Sequence, residues 1–204
     1  MNAQSRTNAR ANSVPRLTRD DWLDAAFQAV VEGGFDQVRV LVIAQRLGVT
    51  RGSFYWHFTD HADLVRSLIA RWRDREDALN RALESRVAAD PQEDLEDLLE
   101  AALAHAGTDL ENMRFELALR GLGRRDPDIA KLLVEVDAAR LALFESKFHR
   151  VTRDPKTAEE LAVLFYLAIV GSNQALSRPT SPPQAKEYLK GIITRLIIRG
   201  PAAH

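Results

Sequence analysis

The residues with the densest chemistry lie in the run T-R-G-S-F-Y-W-H-F-T-D-H at positions 50–61. Arg51 is a permanent cation, and Ser53, Tyr55, Trp56 and His57 each carry an O–H or N–H donor. If a helix starts after Thr50, Phe54 and Phe58 stand four apart and point to the core with Ile43 and Leu47. Ser53, Trp56 and His57 then share another face, with Arg51 and Tyr55 beside it. Large aromatics turned outward on so short a helix are unfavourable without a partner to cover them. Donors, a cation and the positive end of a helix together suit a phosphate backbone. The blander alternative is that Tyr55 and Trp56 pack against the following helix.

Such a face must be held in place, and the preceding residues read as the holder. Ala44 stands four before Gly48. A small residue is needed where two helices cross, and the turn needs a residue that tolerates a left-handed backbone. Thr50 sits where an N-cap is needed, and Val49 and Phe54 occupy the positions of a hydrophobic staple. Residues 38–58 therefore read as two short helices in a helix-turn-helix. Ahead of them, Thr18 and Asp21 form a capping box. Leu23, Ala26, Phe27, Val30 and Val31 then recur at helical spacing until Gly33-Gly34 stops the helix.

Almost everything downstream also reads as helix. One helix is predicted over about 60–86, with Asp90-Pro91, Thr108 or Asp109, Asp126-Pro127, Pro155 with Thr157, and Pro182-Pro183 opening five more. Strand-like alternation and hairpin turns are absent from the sequence, so the expectation is an all-α fold of about nine helices. Residues 1–16 read as a disordered arm. Its Arg6, Arg10 and Arg16 either reach along a DNA minor groove or form a solvated tail.

Composition narrows the function. The chain has 204 residues, 46% apolar and 28% charged, with no cysteine, which excludes disulfide scaffolds, thiolate metal sites and cysteine nucleophiles. Net charge is −1, but residues 1–59 carry seven arginines against five acids, so any basic surface is N-terminal. The acidic run at 90–100 reads as a solvated helix face. The uncharged run 161–171 is too short to span a membrane and no secretory signal precedes the first helix, which points to the cytoplasm. No nucleophile elbow, P-loop, dinucleotide fingerprint or repeated Glu-x-x-His occurs. Glu145 and His149 read as an exposed helix pair rather than a metal site. No catalytic residue, metal or cofactor is expected.

Two C-terminal segments are apolar on more than one side. Leu161, Phe165, Ala168, Ser172 and Ala175 form a stripe with small residues, and Leu189, Ile193, Leu196 and Ile197 form another. A helix apolar on two sides must be covered on two sides, which predicts a homodimer through an intersubunit four-helix bundle. The alternative is burial within one subunit.

Residues 17–68, and above all G-V-T-R-G-S-F-Y-W-H-F, resemble the DNA-binding domain of the TetR (tetracycline-repressor-like) family of transcriptional regulators. The resemblance implies a DNA-binding domain at 17–62 and a helical ligand-binding and dimerisation domain at 63–204. Carried over position by position, Thr50, Arg51, Gly52 and Ser53 approach the major groove, Tyr55, Trp56 and His57 hold phosphates or base methyls, and Arg39 and His61 touch the backbone. The pattern departs at Val40, where a Ser or Thr cap is common, at Leu41 and at His61. The implied pocket lies among the later helices, with His105, Arg120, Tyr166 and Asn173 as polar candidates and Trp72, Met113, Phe115 and Phe144 as walls. The implied function is a repressor that a small-molecule effector releases from its operator. The alternative is a helical small-molecule-binding protein with degenerate DNA reading.

Overall fold

The computed structural model describes residues 17–108, 110–176 and 185–200. The N-terminal arm with Arg6, Arg10 and Arg16 lies outside them.

Helix α1 (Arg19–Gly33) starts at the predicted capping box. The Asp21 carboxylate accepts the Thr18 N–H at 2.6 Å, and the Thr18 hydroxyl accepts the Asp21 N–H at 3.2 Å. Helix α2 (Val40–Arg46) follows, capped by Arg39 without a side-chain bond, so the departure at Val40 falls one residue inside the helix. Gly48 takes φ +68° in the turn, a left-handed conformation that carries no strain for glycine. Ala44 is buried at the crossing, and its carbonyl accepts the Val49 N–H at 3.0 Å.

The third helix corrects an expectation. It is a 3-10 helix, Arg51–Trp56, two residues shorter than the expected helix through Phe58. Thr50 occupies the cap position, but its side chain makes no capping bond. Its carbonyl instead accepts both the Ser53 N–H, at 3.1 Å, and the Ser53 hydroxyl, at 2.7 Å. The tighter i→i+3 turn brings Ser53 onto that carbonyl, so the carbonyl rather than the hydroxyl closes the helix start. Phe54 and Phe58 are buried as predicted, stacked at 5.4 Å, with Trp22 edge-on to Phe54. Each ring contributes about 1.5–3 kcal/mol by leaving water.

Helix α3 (His61–Ser85) leaves the head from its Asp60 cap. It is followed by α4 (Pro91–Thr108), α5 (Leu110–Gly123), α6 (Pro127–Phe148), α7 (Pro155–Leu176) and α8 (Ala185–Ile193), which runs on as a π-helical segment, Thr194–Ile198. Asp126 caps α6 as its Asp-Pro signal implies. At α7 the cap is Asp154, whose carboxylate accepts the Thr157 N–H at 3.0 Å.

The buried side chains form two cores. One joins the head (Trp22, Val30, Ile43, Phe54, Phe58) to α3, α5 and α6 through Trp72, Phe115, Leu119 and Val136. Phe115 stacks on Phe27 at 5.1 Å and lies edge-on to Phe35 at 5.5 Å. The other, from Leu95 to Ile198, holds α4, α6, α7 and α8 together. The first core runs straight across the sequence boundary at 62–63, so the head is packed onto the body.

The acidic run at 90–100 is solvent-exposed at Asp90, Glu93, Asp97 and Glu100, but not throughout. Asp94 is buried and accepts from Lys147 Nζ at 3.0 Å and from Arg150. Glu96 pairs with Arg199 at 2.7 Å and Glu100 with Lys190 at 3.0 Å. These cations arrive from α6, α8 and the chain beyond them, which spacing within one helix does not reveal. No described helix is long and apolar enough to cross a membrane.

Candidate nucleic-acid interface and the cavity behind it

The helix-turn-helix presents an outward face with Trp56 79% exposed and Tyr55 56% exposed. Neither is covered by α3, so the blander alternative fails within this chain. Arg51 and Gly52 are exposed, Ser53 is half-buried, and an Arg51 Nη2–H reaches the Tyr55 hydroxyl at 3.5 Å. The cation and the phenol thus stand side by side on one turn. His57 is set deeper than expected. It is half-buried and its ring lies 6.3 Å from Trp22.

Two expected backbone contacts are partly occupied. The Arg39 Nε–H donates to the Asp36 carbonyl at 3.0 Å, while the residue itself stays exposed. His61 Nε2 lies 2.5 Å from the Val38 carbonyl. A carbonyl only accepts, so Nε2 carries the proton, and the neutral ring offers only an acceptor at Nδ1. The Nε2–H of His61 is therefore already engaged within the chain. Leu41 is 56% exposed at the start of α2, beside the reading turn.

Behind the head, α3, α4, α5, α6 and α7 line a narrow cavity of about 90 Å³. Three expected residues line it: Met113, Phe144 and Tyr166. Trp72 and Phe115 do not, because the core between head and body absorbs them. The side chains of His105, Asn173 and Ala175 lie outside those described.

Arg120 and its neighbours form a charge network that sequence reading missed. Arg140 Nη2 donates to Glu76 at 2.6 Å and to Glu116 at 2.9 Å, tying α6 to α3 and α5. Arg120 donates to Glu116 and Asp137, each at 2.7 Å, and lies 3.4 Å from the Tyr166 hydroxyl. Burial pushes the Glu116 carboxyl up, but the Arg140 and Arg120 guanidiniums outweigh it and hold it at about 2. Burial, then the hydrogen bond to Asp137, pushes the Tyr166 phenol up to about 12. Glu76 also accepts from Asn112 at 3.2 Å. Charged positions set among apolar ones on three helices were the available signal, but which helices meet was not visible.

On α7 and α8 the expected interface residues divide. Phe165, Ser172 and Ile193 are buried in their own subunit; Leu161, Ala168, Leu189 and Ile197 are half-buried, and Leu196 is exposed. Phe165 and Ile193 are core residues here, because α4 and α6 cover that side. The outward apolar stripe consists instead of Val163, Leu164, Leu167, Tyr188, Ile192 and Leu196.

A family model described as bacterial regulatory proteins, tetR family, matches residues 23–68. The HTH-type transcriptional regulator TtgR of Pseudomonas putida is 38% identical over 82 residues, covering 40% of this chain and 39% of that protein. The HTH-type transcriptional repressor BepR of Brucella suis is 45% identical over 56 residues, 28% of this chain and 27% of its own. The matched segment thus spans about two fifths or less of the length of these curated relatives. Solved structures extend the likeness along the chain. A transcriptional regulator from Rhodococcus sp. Rha1 superposes with TM-score 0.72 at 18% identity, over 90% of this chain and 97% of that one. A regulator from Saccharomonospora viridis, solved in complex with choline, gives TM-score 0.70 at 22% identity, over 88% and 96%. Residues 23–68 thus match the DNA-binding segment of the tetR family of bacterial regulatory proteins, and the chain as a whole shares the fold of these solved regulators.

Proposed function

We propose that this chain is a sequence-specific DNA-binding transcriptional regulator of the cytoplasm, a repressor that leaves its operator when a small molecule enters the cavity behind the head. The observation that carries this reading is the outward face of the third helix, where Arg51, Tyr55 and the 79%-exposed Trp56 stand together on a turn locked by Gly48 and the Phe54–Phe58 core. Arg51 and Tyr55 contact phosphates, and Gly52 and Ser53 let the turn approach base edges.

Two copies pair through the stripe of Leu164, Leu167, Tyr188 and Leu196, and so hold two reading helices about 34–36 Å apart, one turn of DNA. The effector acts through α3, which forms one wall of the cavity at Glu76 and packs into the head's core at Leu64 and Leu68. An effector that binds better when α3 is shifted moves the population away from the DNA-binding state. The chain's own upstream DNA, titrated at rising salt, tests the reading. Retardation that weakens steeply with salt is expected from phosphate contacts. No retardation at low salt, with the protein folded and dimeric, supports the degenerate alternative, to which His61's commitment to Val38 contributes.

A further inference from the structure

The lining of the cavity carries information on what enters it, given the effector site proposed above. Among the described side chains, its charged members are Glu76, Asp77 and Glu116 against Arg140. The network behind the wall does not restore balance: Arg120 is shared between Glu116 and Asp137, so Glu76, Glu116 and Asp137 stand against Arg120 and Arg140. Arg73 reaches Asp77 at 3.8 Å but lies closer to Glu135, at 3.0 Å. Apart from Asn80 and Asn112, the remaining walls are apolar and aromatic, and include Phe144 and Tyr166. An anion there meets an excess of carboxylate in a medium that screens little. A cation meets carboxylates and ring faces, both of which attract it.

We propose that the cavity takes an organic cation with an apolar body, and that this cation competes with Arg140 for Glu76 and Glu116. Arg140 is the guanidinium that bridges α6 to both carboxylates from within the cavity wall. The space is narrow, about 90 Å³. A ligand therefore enters by separating side chains, and the Glu76–Arg140 contact is the ion pair that lines the cavity between α3 and α6. A cation leaves the carboxylates paired when Arg140 moves away, whereas a neutral or anionic ligand strands them. The same exchange removes one of the ties between α3 and α6, so the charge that selects the ligand also transmits its arrival.

The experiment is calorimetric titration of the full chain with phenyltrimethylammonium, with its neutral isostere tert-butylbenzene and with benzenesulfonate. The cation is expected to bind about tenfold or more tighter than the isostere, and the sulfonate weakest, as expected for an unbalanced negative site. Asp77→Asn, a partly exposed position outside the buried network, is expected to weaken the cation about threefold to tenfold with the melting temperature unchanged. Arg140→Met removes the competitor, so cation binding tightens. Equal binding of cation and isostere, preference for the sulfonate, no binding of any probe, or loss of cation binding in a folded Arg140→Met protein each overturns the proposal. If Arg140→Met does not fold, the three-probe comparison and Asp77→Asn decide. Operator retardation by ligand-free protein is measured separately. Its absence sinks the DNA reading and leaves the cation assignment standing; failure of the probes does the reverse.

Discussion

In the head, Arg51 faces outward beside Tyr55 and Trp56, and its contact within the described chain is a 3.5 Å approach to a phenol. In and behind the cavity wall, Arg140 and Arg120 are enclosed by Glu76, Glu116 and Asp137 at 2.6–2.9 Å. The same residue type stands open to solvent in one region and is consumed by internal anions in the other. An exposed guanidinium retains its hydration and loses little if unpaired, whereas a buried one is tolerable only when its partners are built in. A surface arginine is therefore free to meet a partner outside the molecule, whereas a buried one reports which helices are tied together.

The largest effect separates the two regions most directly. Arg51→Ala with Tyr55→Phe removes two phosphate contacts per subunit, each worth about 1.5–3 kcal/mol, and weakens operator binding by about three orders of magnitude or more. Denaturation curves should stay within about 0.5 kcal/mol of the parent. A matching loss of stability would mean that the face is structural.

The α7–α8 stripe is the next test, read by sedimentation. Leu167→Glu places an unpartnered charge in each copy's half of the proposed interface, at about 3–5 kcal/mol per charge. It should yield folded monomers. Ile193→Glu buries its charge within one subunit, where Ile193 is 1% exposed, and should unfold the protein instead. A dimeric Leu167→Glu protein places the contact elsewhere.

Phe58→Ala leaves a cavity beside Phe54 and is expected to cost about 3–5 kcal/mol in thermal or urea unfolding. DNA binding should follow only through the loss of folded protein.

Glu116→Gln probes the enclosed network. The Glu116 carboxyl is held near 2 when folded, below its ordinary 4.5, so its contribution is complete above about pH 4.5 and fades as pH falls toward 2. The stability gap between parent and variant should be about 2–3 kcal/mol at pH 7 and should narrow steadily below pH 4.5. A gap independent of pH would show that the charge of Glu116 contributes nothing.

The smallest effect concerns two threonines at helix starts. Thr18→Ala breaks a reciprocal capping box and should cost about 1 kcal/mol. Thr50→Ala removes a hydroxyl that caps nothing and should cost less than about half of that. Equal costs would restore Thr50 as a working cap.

What the amino-acid order determined by itself was the part built from local interactions. The capping box at Thr18, the Ala44–Gly48 spacing, the Phe54–Phe58 pair and the Asp126 cap each involve residues no more than four apart, and the backbone pitch relates them directly. Their geometry is implicit in their spacing, so the outward face carrying Tyr55 and Trp56 was legible too. Tertiary structure decided which side of each apolar helix meets its own subunit, so that Phe165 and Ile193 turn inward while Leu167 and Tyr188 turn out. It also decided that Phe115 and Trp72 join head to body instead of lining the cavity, and that Glu76, Glu116 and Arg140 converge from three helices up to 64 positions apart. Helical periodicity defines faces but not the neighbours that cover them, and the charge network exists only because those neighbours meet.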